Sequence, residues 1–324
     1  MDRLWAHMKR LWPRGTLLPA APFVLWCTYG LMHGEVRRWD LWFPLIGTPL
    51  LAYTNERTKR VLVGMYPVFL VGVLYDSMRF VQNVGLSAST VHTCDLRNAE
   101  LALFGVGSGA ARITIGEWLQ AHSSLPLDAL MSIPYGTYIF VALGYGLYLY
   151  FRDFTGLQRY AWSFLILNAL GFLTYHIFPA APPWYVHEHG CVVDLTTAAS
   201  AGPHLNRIDA LLGFRYFHGL YGRAHDVFGA IPSLHVTYPM LILMVGWRRQ
   251  RWLFRSAAIV FFLMMCFGAI YLDHHWCIDV IVGLVYGGSV YAAVRWFFAR
   301  KENHVPVAVE DDIVVASVGR NTGA

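Results

Sequence analysis

The stretch LFRSAAIVFFLMMCFGAIYL, residues 253–272, decides the fold: it is 20 residues long and carries one charge, Arg255, near its start. About 20 apolar residues cross a hydrocarbon core roughly 30 Å thick as an α-helix. Working outward, the runs 17–32, 61–77, 129–151, 161–178, 232–247 and 275–298 approach that length, and a shorter run, 41–54, lies between the first two. Composition agrees. The 324 residues are 56% hydrophobic and 14% charged, with mean hydropathy +0.43, whereas a soluble domain carries roughly 25% charged residues. So apolar a chain is not disordered, and five cysteines are too few for a disulfide scaffold. No small-residue cleavage site follows 17–32, so that run reads as a membrane segment and not as a signal peptide. The expectation is an all-α polytopic transmembrane bundle. It has six core helices if 17–54 forms a partly inserted hairpin, and eight if both of its runs cross.

The net charge of +5 could suggest a nucleic-acid partner, but the 25 Lys and Arg lie between apolar runs and form no single patch. No nucleic acid is expected. With the N-terminus inside and eight crossings, sixteen of them fall in the short cytoplasmic pieces, eight fall in the longer outer pieces, and Arg295 sits inside the last helix. Short cytoplasmic loops collect Lys and Arg. Both termini are therefore expected in the cytoplasm, with loops 78–127 and 179–231 on the periplasmic or lumenal face; the compact loops lean toward a bacterial plasma membrane. No repeat or linker divides residues 1–300, which read as one membrane domain, while 301–324 reads as a disordered cytoplasmic tail.

The outer loops are rich in His, Pro, Gly and aromatic residues. In HWCID, residues 275–279, His275 and Asp279 stand at i and i+4 and project from one helix face. The carboxylate can then accept the Nδ1 proton, leaving Nε2 as a nucleophile of the kind that attacks phosphorus. His274 is one position out of that register. In GAIPSLH, residues 229–235, Pro232 suits the first turn of a helix, whose free N–H groups make an anion site. Ser233 can hold phosphate oxygens there while His235 serves as acid or base. On the eight-helix topology both histidines open out-to-in helices, so they lie at one membrane face.

Pro-Ser-X-His followed after about forty residues by His-X3-Asp resembles the second and third motifs of the type 2 phosphatidic acid phosphatase superfamily. The resemblance implies that His275 is the phosphoryl nucleophile, Asp279 orients it and His235 protonates the leaving group. Two features of the broad family are missing: its Ser-Arg pair before the nucleophilic His is here Gly268-Ala269, and its Lys-X6-Arg-Pro motif is absent. Instead, FPAAPPWY at 178–185 and YLDHH at 271–275 look like the fungal inositol phosphorylceramide synthase branch and its bacterial relatives. The likeness covers roughly 160–290, with the motif-bearing core at 160–298, and YDSMR at 75–79 agrees loosely. It implies a membrane phosphotransferase that moves a headgroup, phosphoinositol from phosphatidylinositol, to a lipid alcohol such as ceramide through a phosphohistidine. A lipid phosphatase with water as acceptor is the alternative. A transporter ranks far below, because it would need charges at mid-helix depth, and the spans carry almost none, Arg295 near a cytoplasmic end being the main exception.

Pro182 and Pro183 stiffen the chain where it leaves the membrane, and Trp184-Tyr185 suit the headgroup level. The resemblance sets these four, with Asp273 and His274, along the lipid path. A phosphodiester in transit needs cations or N–H donors aimed at its oxygens. Arg223 is the first candidate, ten residues before Ser233, with Arg215, Arg207 and Arg79 behind it. His218, His225, Asp226, His235, His274 and His275 could compete as metal ligands, but no Cys-X2-Cys or His-Glu-X2-His occurs; no metal and no cofactor are expected. Cys94 and Cys191 both fall in outer loops and can pair if that compartment is oxidising. Cys27 and Cys266 read as helix-packing residues.

Overall fold

The computed structural model describes residues 2–33, 35, 38–222 and 226–304. The expected tail falls outside the described residues from 305 onward. Fourteen α-helices follow in order: α1 (Asp2–Leu11), α2 (Ala21–Met32), α3 (Trp39–Tyr53), α4 (Glu56–Val81), α5 (Cys94–Phe104), α6 (Ile115–Ala121), α7 (Leu125–Arg152), α8 (Phe154–Ile177), α9 (Pro183–His189), α10 (Gly202–Leu212), α11 (Tyr216–Tyr221), α12 (Leu234–Gly246), α13 (Trp252–Tyr271) and α14 (Cys277–His304). Every apolar run read from the sequence contains a helix, although in the run 17–32 the helix begins only at Ala21. Four helices, Glu56–Val81, Leu125–Arg152, Trp252–Tyr271 and Cys277–Arg300, are long and apolar enough to cross a membrane. Their outward side chains are apolar and exposed, as at Phe140, Leu147, Val260, Leu263 and Val285, which suits lipid as the surrounding solvent.

The span expected at 232–247 is shorter than the sequence suggests. Ser233 stands at the N-cap, and helix α12 runs for only 13 residues. Its position explains how so short a helix persists: α12 packs against α7, α8, α13 and α14, so its sides are covered by protein. One apolar core joins α7, α10, α11, α12 and α13 around Tyr135, Leu205, Val236 and Tyr271. Another joins α7, α8, α12 and α14 around Tyr160, Leu167, Leu241 and Val290. Close approach of α12 and α14 depends on Gly283, where a Cβ would stand 2.5 Å from the Ser233 carbonyl oxygen.

The outer loops are more ordered than their composition suggests, because helices α5, α6, α9, α10 and α11 all lie within them. Cys94, the first residue of α5, is joined to Cys191 by a disulfide with the Cα atoms 5.3 Å apart, across 97 residues of sequence. Cross-linking a loop of that length restricts the unfolded chain and contributes about 2–5 kcal/mol. Replacing both cysteines by serine is expected to lower the melting temperature in detergent accordingly; an unchanged melting curve would show that the bond adds nothing to the fold.

Candidate active site

Three extended loop segments pair side by side near the starts of α12 and α14. The Ala180 N–H donates to the Phe228 carbonyl (2.7 Å), the Ala230 N–H to Ala180 (3.1 Å) and the Ala181 N–H to His92 (2.8 Å), so 92, 180 and 229 lie side by side as parallel bridges. The first of the two helices, α12, starts directly beyond this ladder, after a cis Ile231–Pro232 bond. Its N-cap, Ser233, donates its backbone N–H to the Asp279 carbonyl on α14 (3.0 Å), which ties the two helix starts together.

At the second helix start, α13 ends at Tyr271 and the chain turns through Asp273, a non-glycine residue at φ 68°. This left-handed conformation costs an ordinary residue of order 1 kcal/mol or more, and three contacts hold it. The Asp273 carbonyl accepts the Trp184 N–H (2.9 Å), its carboxylate accepts from His187 Nδ1 (2.7 Å), and the His275 N–H reaches back to the Ala269 carbonyl (2.9 Å). Helix α14 then begins at Cys277, two residues after the histidine.

The turn brings the histidines into contact. His275 Nδ1 lies 2.9 Å from the Ala230 carbonyl; a carbonyl only accepts, so Nδ1 carries the proton and Nε2 presents its lone pair. That lone pair accepts from His235 Nδ1 at 2.9 Å. Burial pushes His275 down to about 4, with the Ala230 hydrogen bond opposing, so the ring is neutral and nucleophilic at neutral pH. Asp279 Oδ2 stands 3.4 Å from Nδ1 and accepts the Trp276 N–H at 2.9 Å. Tyr135 stacks on His235 with ring centres 4.9 Å apart, Tyr138 leans on it at the same distance, and Tyr221 stands at 5.8 Å. Ser233 Oγ, His235 Nε2 and Asp279 Oδ1 are buried without a protein hydrogen-bond partner. Polar atoms left unpaired inside a protein are costly, and here they cluster around one pair of rings. The arrangement offers an unprotonated nitrogen nucleophile, a second imidazole hydrogen-bonded to it, and hydroxyl and first-turn N–H groups for an anion.

The PAP2 superfamily profile matches residues 109–293 of this chain, a stretch that contains both histidines and Asp279. The chain belongs to the PAP2 superfamily. A phosphoinositol dihydroceramide synthase of Bacteroides thetaiotaomicron is 33% identical over 239 residues, 72% of this chain and 77% of the relative. Among fungal relatives, an inositol phosphorylceramide synthase of Candida albicans is 28% identical over 263 residues, 80% of this chain and 53% of its own. The catalytic subunit of inositol phosphorylceramide synthase from Schizosaccharomyces pombe is 32% identical over 258 residues, 78% and 56% respectively. The chain thus spans little more than half the length of these fungal proteins. No solved structure matches it. PAP2 membership and the four long apolar helices make it a multi-pass membrane protein.

Several placements differ from the sequence expectation for a PAP2 chain. Asp279 is not the nearest partner of His275 Nδ1, because the histidine precedes α14 and helical i, i+4 spacing does not govern the pair; the Ala230 carbonyl is closer. Trp184 and Tyr185, expected at headgroup level, are buried with Pro182 and Pro183 and pack with Phe228 and Trp276 beneath the histidines. Asp273 faces His187, and His274 Nε2–H donates to the Ala201 carbonyl (2.9 Å); burial pushes that ring down to about 4 as well. The arginines disperse. Arg207 pairs with the buried Asp128 at 3.1 Å, Arg79 pairs with Glu35 and with Asp76, Arg215 is exposed at the N-cap of α11, and Arg223 lies outside the described residues. At Gly268-Ala269, where the broader family has Ser-Arg, α13 lies against Met131 and Tyr135 of α7. Among the described residues, no group of three His, Cys, Asp or Glu is arranged to hold a metal ion.

Sequence reasoning passed over His187, the tyrosines around His235 and the buried Glu100. His187 gives a pH dependence. Its burial would lower the pKa, but the Asp273 hydrogen bond and charge, helped by Glu117, raise it overall above 6.5. A raised histidine contributes stability that is fully present below its unfolded pKa and is lost as pH rises through the folded one. Thermal stability is therefore expected to fall above about pH 6.5 more steeply in the wild type than in His187→Gln. Parallel slopes for the two proteins would refute the coupling.

Proposed function

We propose that this chain transfers the phosphoinositol headgroup of phosphatidylinositol to a lipid alcohol, ceramide or dihydroceramide, through a phosphohistidine at His275. The observation that carries the reading is the 2.9 Å contact between His235 Nδ1 and the unprotonated Nε2 of His275, in a chain whose relatives are named for this transfer. In the first half-reaction the Nε2 lone pair attacks phosphorus, the bond to the diacylglycerol oxygen breaks, and His235 in its charged form gives that oxygen a proton. A negative phosphodiester that displaces the His235–His275 hydrogen bond favours the charged imidazole that this step requires. As Nε2 takes on a phosphoryl group, positive charge develops on the ring, and the Nδ1–H is held by Ala230 with Asp279 behind it. In the second half-reaction neutral His235 takes the proton of the acceptor hydroxyl while its oxygen attacks phosphorus and the P–N bond breaks. Both proton transfers use one imidazole, and the nucleophile is regenerated.

Ser233 Oγ and the first-turn N–H groups of α12 are the donors for the equatorial oxygens, since the described arginines are engaged or exposed elsewhere. Asp273 and His274 shape the wall of the site, and the Pro182–Pro183–Trp184–Tyr185 block supports it from behind. The site faces the periplasm or lumen, with both termini in the cytoplasm; the Lys and Arg distribution and the Cys94–Cys191 bond, which suits an oxidising compartment, support that orientation.

The test supplies purified protein in detergent with inositol-labelled phosphatidylinositol, with and without ceramide. A labelled lipid product that forms only with ceramide supports transfer. Release of water-soluble inositol phosphate regardless of ceramide would make the protein a hydrolase, and no turnover under either condition would overturn the substrate assignment.

A further inference from the structure

Glu100 lies on α5, upstream of the residues that match the family, and is 1% exposed. Its carboxylate reaches 177 residues along the chain to the start of α14, where Oε1 accepts the Cys277 N–H at 2.9 Å and Oε2 accepts the Ile278 N–H at 3.1 Å. A helix start leaves its first N–H groups without intrahelical partners. Here they are divided between two acids: Asp279 takes Trp276, and Glu100 takes the next two. A buried carboxylate is tolerable only when its oxygens are hydrogen-bonded, and each Glu100 oxygen has its own N–H. The helix that carries Glu100 is fixed at its first residue by the disulfide to Cys191.

We infer that Glu100 is a positioning residue for the reaction: by satisfying the Cys277 and Ile278 N–H groups it keeps the Asp279 carboxylate on the Nδ1 side of His275. Without Glu100, two buried N–H groups lose their acceptor, and the nearest acid on the same helix turn is Asp279, whose Oδ1 is unpartnered. Asp279 would rotate toward them and leave the charge that develops on His275 to the Ala230 carbonyl alone. The effect then falls on the chemical step, since Glu100 touches neither ring. This inference rests on the phosphotransfer reading only in taking His275–Asp279 as the reacting pair.

The experiment is a double-mutant cycle on the full-length protein, with Glu100→Gln and Glu100→Ala each made alone and with Asp279→Asn, measured as kcat and KM for phosphatidylinositol. Outer groups that orient a reacting ligand are typically worth 10–100-fold, so Glu100→Ala is expected to lower kcat by about that factor with KM unchanged. Glu100→Gln, which keeps one acceptor oxygen, is expected to lose less. In the Asp279→Asn background the further loss should shrink below about 3-fold, because a group acting through Asp279 has nothing left to position. If Glu100→Ala is too unstable to purify, the Gln variant carries the same cycle. Equal losses in both backgrounds, a rise in KM alone, or a lowered melting temperature with unchanged kcat would each overturn the inference. Wild-type protein that shows no turnover would instead overturn the function reading.

Discussion

His275→Ala abolishes transfer, with an expected fall in kcat on the order of 10⁴–10⁶-fold, the range seen when the nucleophile of a covalent mechanism is removed. The size follows from the local arrangement. Nε2 is the atom that must bond phosphorus, its lone pair is fixed by the Nδ1–H bond to Ala230, and the neighbouring His274 is turned away onto the Ala201 carbonyl. His274 cannot take over without unfolding the turn at Asp273. Folding should survive, because the ring sits over a core formed by other residues, so the variant is expected to purify normally and to retain phospholipid binding. A loss of less than about tenfold, in a protein whose wild type turns over, would place the nucleophile elsewhere.

His235→Ala is expected to cost about 10²–10⁴-fold, the usual worth of a positioned acid–base group, and its loss should depend on the leaving group. Diacylglycerol departs as a poor alkoxide and needs a proton as the bond breaks. A phosphoinositol ester of p-nitrophenol does not, so the first half-reaction of the variant should be largely restored on that donor while transfer to ceramide stays slow. Equal impairment on both donors would mean that His235 holds the substrate and does not move a proton. The tyrosines packed on its ring fix its orientation, and loosening that packing at Tyr138 should impair the same step less severely.

The apolar runs revealed the bundle because lipid imposes one requirement on every spanning segment, and length with hydropathy reports it. The proximity of His235, His275 and Asp279 was legible because the three residues stand at fixed spacing within two short motifs. What stayed hidden depends on contacts between residues far apart in sequence. The Ala230 carbonyl that sets the His275 tautomer is 45 residues away, Glu100 is 177 residues from the N–H it accepts, and the His187–Asp273 pair spans 86. Such contacts have no local period. Helical spacing anticipated Asp279 on the Nδ1 side of His275, where it stands at 3.4 Å, but it could not show that the Ala230 carbonyl lies closer. The Trp184-Tyr185 pair is buried with Phe228 and Trp276, because rings suited to an interface are equally suited to a core.

The central claim is a covalent phosphoinositol–His275 intermediate. The most direct measurement mixes wild-type protein with inositol-labelled phosphatidylinositol, quenches in alkali within one turnover, and maps the label by mass spectrometry. The account predicts label on His275 that survives alkali, is lost in acid, and passes to lipid product when ceramide is added before the quench. Ceramide-dependent product from the same preparation with no labelled histidine at any time would contradict it, because transfer would then proceed directly between the two lipids.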